Sequence, residues 1–191
     1  VILWSDEIHC DLILDKEKHH IPAATLGPEI AERTITLMAP SNTYNLPGLG
    51  CSYAVIPDRQ TRQRFIRSMS GIVPHVNAMG YAAALAAYRS GQHWLAALLD
   101  YLRGNRERVL QEVQQMPHVS VTPVEATYLA WIDCRQIKVD KPARFFERAG
   151  VGLSDGQEFG GPGYVRLNFG CPRTTLDEAL ERMKTALQAL D

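Results

Sequence analysis

Three settings along the chain hold side chains that could do chemistry. Asp6 closes the apolar run Val1-Ile2-Leu3-Trp4. A carboxylate there needs a partner, because an unpaired buried charge is costly; read alone, it is equally an ordinary strand-end acid that caps the next turn. A second run, Thr34 to Met38, leads into Ala39-Pro40-Ser41-Asn42-Thr43-Tyr44-Asn45-Leu46. Two apolar runs, one ending in an acid and one in a serine-bearing turn, present groups at the carboxyl ends of strands, where open α/β sheets bind ligands. The third setting is Gly163-Tyr164-Val165-Arg166-Leu167-Asn168-Phe169-Gly170-Cys171-Pro172-Arg173. Arg166 lies inside its alternating segment, where a guanidinium suits two-point contact with a carboxylate. An internal acid or loop carbonyls would satisfy it as well.

The elements that must position these groups follow from periodicity and punctuation. Val1 to Trp4 reads as a buried strand, Thr34 to Met38 as a second strand, and Cys51 to Ile56 as a third that Pro57-Asp58 stops. Ala24 to Arg33 has helical character around Gly27-Pro28. Arg59 to Met69 and Val76 to Tyr88 are helices, the latter stopped by Gly91. His93 to Met116 is a long helix whose apolar stripe runs through Leu95, Leu98, Leu102, Val109 and Val113; Pro117 ends it. Beyond it come strands at 119–121 and 128–132, a short helix from Pro142 to Ala149, a strand at 164–169, and a final amphipathic helix from Thr174 to Leu190. The fold class is therefore α/β over residues 1–92, followed by a smaller α+β unit over residues 93–191.

Composition narrows the function classes. The net charge is −1, which gives no field favouring nucleic acid or an anionic membrane. The densest basic stretch, Arg59, Arg62, Arg64 and Arg67, reads as a solvated helix face. Cys10, Cys51, Cys134 and Cys171 are widely spaced, without a Cys-x-x-Cys pair, and read as free thiols in a reducing compartment. No metal site is expected: His19-His20 has no further ligand at metal spacing and reads as solvent loop. No apolar run approaches the ~20 residues that span a bilayer. The chain opens on Val1 inside a strand-like run, which suggests a piece of something longer or a processed product.

Taken together, Ser5-Asp6-Glu7-Ile8-His9-Cys10-Asp11, Ser41-Asn42-Thr43-Tyr44-Asn45-Leu46, Pro123 to Asp133 and Gly163 to Arg173 resemble four segments of pyridoxal-phosphate (PLP) enzymes of the aminotransferase class I/II fold (fold type I), in the branch similar to cystathionine β-lyase. The resemblance implies the C-terminal part of a large PLP-binding domain, with a mostly parallel sheet and helices, over 1–92, and the small C-terminal domain over 93–191. It implies Asp6 beside the pyridine nitrogen, His9 near the ring's 3-oxygen, Ser41 at the phosphate and Arg166 on the substrate α-carboxylate. Tyr128 and Trp131 belong to the core or border the substrate cleft; His75 and Asn77 lie near a dimer interface.

Asn42 stands where that family carries the Schiff-base lysine. An engineered change, a naturally degenerate homologue and an error of record are the three explanations open to it. The resemblance covers the second half of the family's usual length. It further implies a cytoplasmic homodimer acting on amino acids, as a carbon–sulfur β-lyase or an aminotransferase. The rival reading is a non-catalytic binding or regulatory homologue, or an inert fragment.

Overall fold

The computed structural model describes residues 1–190. The chain divides into two compact units, Val1–Ala97 and Leu98–Asp191, and the division falls within the helix Gln92–Gln114.

In the first unit, β1 (Leu3–Asp6) pairs in parallel with β2 (Thr34–Met38), and β2 pairs antiparallel with β3 (Tyr53–Val55). The sheet order is β1-β2-β3. The crossover from β1 to β2 passes through a 3-10 turn (Ala23–Leu26) and the short α1 (Pro28–Glu32). The expected helix over 24–33 is thus broken in two. Gly27 takes φ 157° and ψ 157°, a backbone region open in practice only to glycine, and Pro28 starts α1 where a missing N–H costs nothing.

The buried strand expected at Val1 to Trp4 is a correction: Val1, Ile2, Leu3 and Trp4 are exposed, Trp4 to 60%. β1 is the edge of its sheet, with no neighbour on its outer side among the described residues. Burial in this unit centres on Leu12, Leu14, Ile35 and Ile56.

α2 (Arg59–Met69) is capped by Asp58, whose carboxylate accepts from Thr61 N at 2.6 Å. The arginine face is not wholly solvated, because Arg62 donates to the Ile56 and Pro57 carbonyls. α3 (Ala78–Ser90) begins at Asn77, whose side chain accepts from Gly80 N. Gly91 separates α3 from α4 (Gln92–Gln114). Its φ is −78°, so conformational freedom is not why a glycine stands there. A Cβ at that point would run into the Ala87 carbonyl oxygen and lie 2.6 Å from the Tyr44 ring.

In the second unit, β4 (Ser120–Val121), β5 (Leu129–Asp133), β6 (Ser154–Asp155) and β7 (Tyr164–Asn168) form an antiparallel sheet in the order β4-β5-β7-β6. β5 and β7 alternate buried and half-buried positions, as strands with one covered face do. α5 (Pro142–Arg148) contributes the buried Phe146. α6 (Arg173–Gln188) contributes Leu176, Leu180, Met183 and Leu187. These recur at the spacing of one helical face. Val109 and Val113 of α4 are likewise fully buried. The sequence pattern did not reveal β6 or the 3-10 turn Gly156–Phe159 after it; a two-residue strand has no periodicity to read.

Candidate functional site

In the first unit, the four expected site residues Asp6, His9, Ser41 and Asn42 stand at or just beyond the carboxyl ends of the two parallel strands. β1 ends at Asp6, and register pairs Asp6 with Leu37 of β2. The ladder carries one step further, Glu7 N donating to Leu37 O at 2.9 Å. The chain then turns, with Cys10 N on Glu7 O and Leu12 N on His9 O. After β2, residues 40–46 fold into a tight turn: Tyr44 N donates to Pro40 O and Leu46 N to Ser41 O, both at 2.9 Å. Asn45 takes φ 53°, the left-handed region that asparagine tolerates better than most residues. Tyr44 anchors the turn against Tyr88 and Trp94, at centroid distances of 5.8 and 6.1 Å.

These turns bring His9 and Asn42 together, 33 residues apart in sequence. Asn42 Nδ2 donates to His9 Nε2 at 3.1 Å. Since Nδ2 can only donate, Nε2 is the accepting nitrogen of the imidazole. Asp6 is exposed, and among the described residues its carboxylate has only a long contact, 3.4 Å from Ile8 N. Ser41 is half-buried, and Thr43 Oγ1 is buried without a hydrogen-bond partner, an arrangement that folded proteins rarely leave. A cleft of about 440 Å³ beside Asp6 is walled by Ile8, Met38, Tyr53, Phe65 and Met69; His9, Ser41 and Asn42 do not line it.

Between Asp6 and His9 sits a residue that sequence reading passed over. Glu7 is only 5% exposed. Its Oε1 accepts from Ser5 Oγ at 2.9 Å and Ala23 N at 3.0 Å, and its Oε2 accepts from His20 Nε2 at 2.9 Å. Burial by itself would raise this carboxyl, but the bonds from His20, Ala23 and Ser5 together outweigh it and hold Glu7 below the usual 4.5. His20 is therefore not a solvent-loop histidine; it ties the far end of the 7–23 segment to the end of β1. The available signal was a histidine in a segment with the well-spaced apolar pair Leu12 and Leu14, both buried.

Cysteine nucleophiles find no support here. Burial, followed by Asp11 and Glu7, pushes the Cys10 thiol up to about 11, and burial followed by Asp133 pushes Cys134 up to about 12. All four cysteines are free. Among the described residues there is no cluster of three or more metal-binding side chains, and no helix is long and apolar enough to cross a membrane.

Arg166 belongs to the second unit, on β7, where its backbone pairs with Trp131 on one side and Ser154 on the other. Its guanidinium lies 4.0 Å over the Phe159 ring and reaches Ser154 Oγ at 3.3 Å. No carboxylate forms an ion pair with it among the described residues. Of the two readings open at the sequence level, the internal acid is thus absent, and a planar cation backed by an aromatic face is available to an anion. Trp131 stacks on Tyr164 at 5.4 Å and meets Phe159 edge-on. Arg173 is structural: Nε donates to Asn105 Oδ1 at 2.6 Å. Fully buried Asn105 also donates to the Phe169 and Cys171 carbonyls. It holds the turn that follows Arg166.

These residues fit a phosphate-bearing pyridine in part. Asp6 offers a carboxylate to a protonated ring nitrogen, His9 an imidazole beside the ring, and the 41–43 turn two hydroxyls, one of them buried without a partner. They do not fit covalent attachment at position 42, since an amide nitrogen is not a nucleophile toward an aldehyde.

Residues 1–183 match the family described as aminotransferase class I and II. The chain is 36% identical to cystathionine beta-lyase PatB of Bacillus subtilis, over 98% of this chain and 50% of that protein. It superposes on the crystal structure of OvoB with a TM-score of 0.95 at 50% identity, covering 99% of this chain and 50% of OvoB. Cystalysin from Treponema denticola, whose crystal structure contains pyridoxal 5'-phosphate, matches with a TM-score of 0.92 at 33% identity, covering 100% of this chain and 50% of cystalysin. The chain spans about half the length of these relatives. With a match this long, carried by an α/β unit followed by an antiparallel α+β unit, the chain belongs to the aminotransferase class I and II family of PLP-dependent, fold-type-I enzymes.

Proposed function

We propose that this chain supplies part of the cofactor site and the substrate-carboxylate site of a PLP-dependent carbon–sulfur β-lyase acting on cystathionine or cysteine-like amino acids. The observation that carries the proposal is the convergence of Asp6, His9 and Asn42 on the carboxyl ends of adjacent parallel strands, with His9 and Asn42 in hydrogen-bond contact. Residues 1–92 correspond in this reading to the C-terminal part of the large domain, and 93–191 to the small one. What supports the lyase over an aminotransferase is that relatives named cystathionine beta-lyase match at 32–36% identity and relatives named aspartate or aspartate/prephenate aminotransferase at 24–27%, while a solved structure named putative aminotransferase matches at 36%.

The roles follow from the groups present. Asp6 holds a proton on the pyridine nitrogen. A bound PLP ring in that cationic state accepts electrons from the carbon next to the substrate's amino group. Ser41 and the buried Thr43 hydroxyl sit where the turn offers donors to a phosphate. Arg166, backed by Phe159, grips the substrate carboxylate. Asn42 provides no amine to carry a proton to or from the substrate, so the chain as it stands binds without turning over. The whole protein acts, in this reading, as a cytoplasmic homodimer.

The test is the Asn42→Lys variant in a polypeptide that also carries the half of the family's length not spanned by residues 1–191. Release of thiol, pyruvate and ammonia from cystathionine is the expected outcome. Transfer of the amino group to a 2-oxo acid, without thiol release, would replace the lyase reading with the aminotransferase one. Neither activity would leave the non-catalytic homologue as the reading.

A further inference from the structure

β1 has the composition of an interior strand and the place of an edge. Val1-Ile2-Leu3-Trp4 is apolar without alternation, the pattern of a strand covered on both faces of a parallel sheet. Leu3 N donates to Arg33 O and Glu7 N to Leu37 O, so the backbone groups of Leu3, Ser5 and Glu7 face β2. Those of Ile2, Trp4 and Asp6 point the other way, where β1 has no neighbour among the described residues. Natural edge strands are blunted by lysine, proline or a bulge. β1 reads Leu-Trp-Ser-Asp, and its register with β2 runs without a slip from Leu3 opposite Thr34 to Asp6 opposite Leu37.

The flank of this edge is apolar too. Ile2, Trp4 and Ile35 line a cleft of about 330 Å³ against Phe65 and Arg64 of α2, where the Trp4 and Phe65 rings lie 5.9 Å apart between centroids. Ile2, Leu3 and Trp4 nevertheless remain exposed. Arg59, Arg64 and Arg67 are exposed along α2 and pair with no carboxylate among the described residues. The backbone is also that of a longer protein, since 99% of this chain superposes on 50% of OvoB.

We propose that the outer edge of β1 takes a further strand, parallel to β1 and supplied by the half of the family's length that residues 1–191 do not span. An apolar side chain of that segment fills the cleft beside Trp4. The inference deepens the reading of residues 1–92 as part of a larger domain. Three features select this occupant. The outward N–H and C=O groups of Trp4 and Asp6 are the donors and acceptors that a strand requires. The apolar run needs cover on both faces. The unpaired arginines along α2 suit acidic residues flanking the segment. A second copy of this chain, pairing edge to edge, is the rival occupant.

The test is coexpression of residues 1–191 with the half of OvoB that this chain does not match, followed by native mass and amide hydrogen exchange, with no cofactor present. The expected result is a one-to-one complex in which the Trp4 and Asp6 amides exchange about tenfold slower or more than in residues 1–191 alone. Trp4→Lys, and Ile2→Lys as a second variant, place an ammonium on the exposed edge without touching the β1–β2 ladder, and abolish the complex. Should coexpression yield no soluble complex, the same half joined ahead of Val1 in one chain carries the exchange measurement. Trp4 and Asp6 amides left unprotected in the complex or the joined chain, or a complex that both lysine variants leave intact, would overturn the inference and leave the larger-domain reading in place. Self-association of residues 1–191 with the same amides protected would give the edge to a second copy and overturn it as well. Neither a complex nor a folded joined chain would overturn both.

Discussion

Removing the Glu7 carboxylate should loosen the end of β1 and the segment that follows it. In Glu7→Ala, three donors lose their acceptor together: Ser5 Oγ at 2.9 Å, Ala23 N at 3.0 Å and His20 Nε2 at 2.9 Å. Each buried donor left unmet costs about 1–3 kcal/mol. His20 is about a third exposed and can turn to water, which discounts its share. A loss of about 3 kcal/mol is expected, in line with the cost of breaking a buried pair by deleting one partner. Glu7→Gln keeps an oxygen for Ser5 and Ala23 and puts an NH2 in place of the charged acceptor that faces His20, so about 1 kcal/mol is expected. The assay is urea unfolding of each variant, with amide hydrogen exchange read over residues 8–23.

The pH dependence has a definite sign. Glu7 is depressed in the folded state, so its contribution is fully present above its unfolded value of about 4.5 and is lost as pH falls through the folded value. Glu7→Gln removes that acid-side loss. A Glu7→Ala cost within 0.5 kcal/mol of wild type, or exchange over 8–23 no faster than in wild type, would refute the role given to the Glu7 bonds.

Further outcomes follow from other contacts. Gly91→Ala places a Cβ 2.6 Å from the Tyr44 ring; overpacking of this kind costs about 1–3 kcal/mol, and changed near-ultraviolet circular dichroism from Tyr44, Tyr88 and Trp94 would report it. Asn105→Ala leaves the Phe169 and Cys171 carbonyls and the Arg173 guanidinium without their amide partner, and a loss of about 3 kcal/mol in unfolding is expected. Arg166→Ala added to the Asn42→Lys polypeptide of family length proposed above should raise KM for the amino acid and lower kcat/KM by tenfold or more; unchanged values of both would remove the carboxylate role. Asn42→Lys in residues 1–191 alone should show no thiol release from cystathionine, and measurable turnover would count against the division of the site between this chain and the rest of the family's length.

Much of the architecture could be read before the structure because its signals are local. The stripe of α6 and the alternation of β5 and β7 are one-face patterns, and each became an element of the expected kind. The parallel pairing of β1 with β2 was expected only through the family resemblance, which implied a mostly parallel sheet. What escaped were long-range polar pairings. Nothing local announces that His20 reaches back to Glu7, or that Asn105, a polar residue on the buried face of α4, closes on carbonyls more than 60 residues later. The reading of Gly91 as a helix stop missed part of its reason: the Ala87 carbonyl that a Cβ would meet is local, but the Tyr44 ring is 47 residues away. The misjudged burial of Val1 to Trp4 has a similar origin. Hydrophobicity predicts that a strand seeks cover, but which strand forms the edge of a sheet is a property of the pairing.

The most direct test of the account is PLP binding by the wild-type protein and by Asp6→Ala, followed by absorbance, with intact mass measured after borohydride. The account predicts saturable binding that weakens by about tenfold or more when the carboxylate is removed, the worth of one charge-assisted hydrogen bond, and an unchanged mass in both proteins. Binding indifferent to Asp6→Ala, or a cofactor fixed to a lysine of this chain, would contradict it.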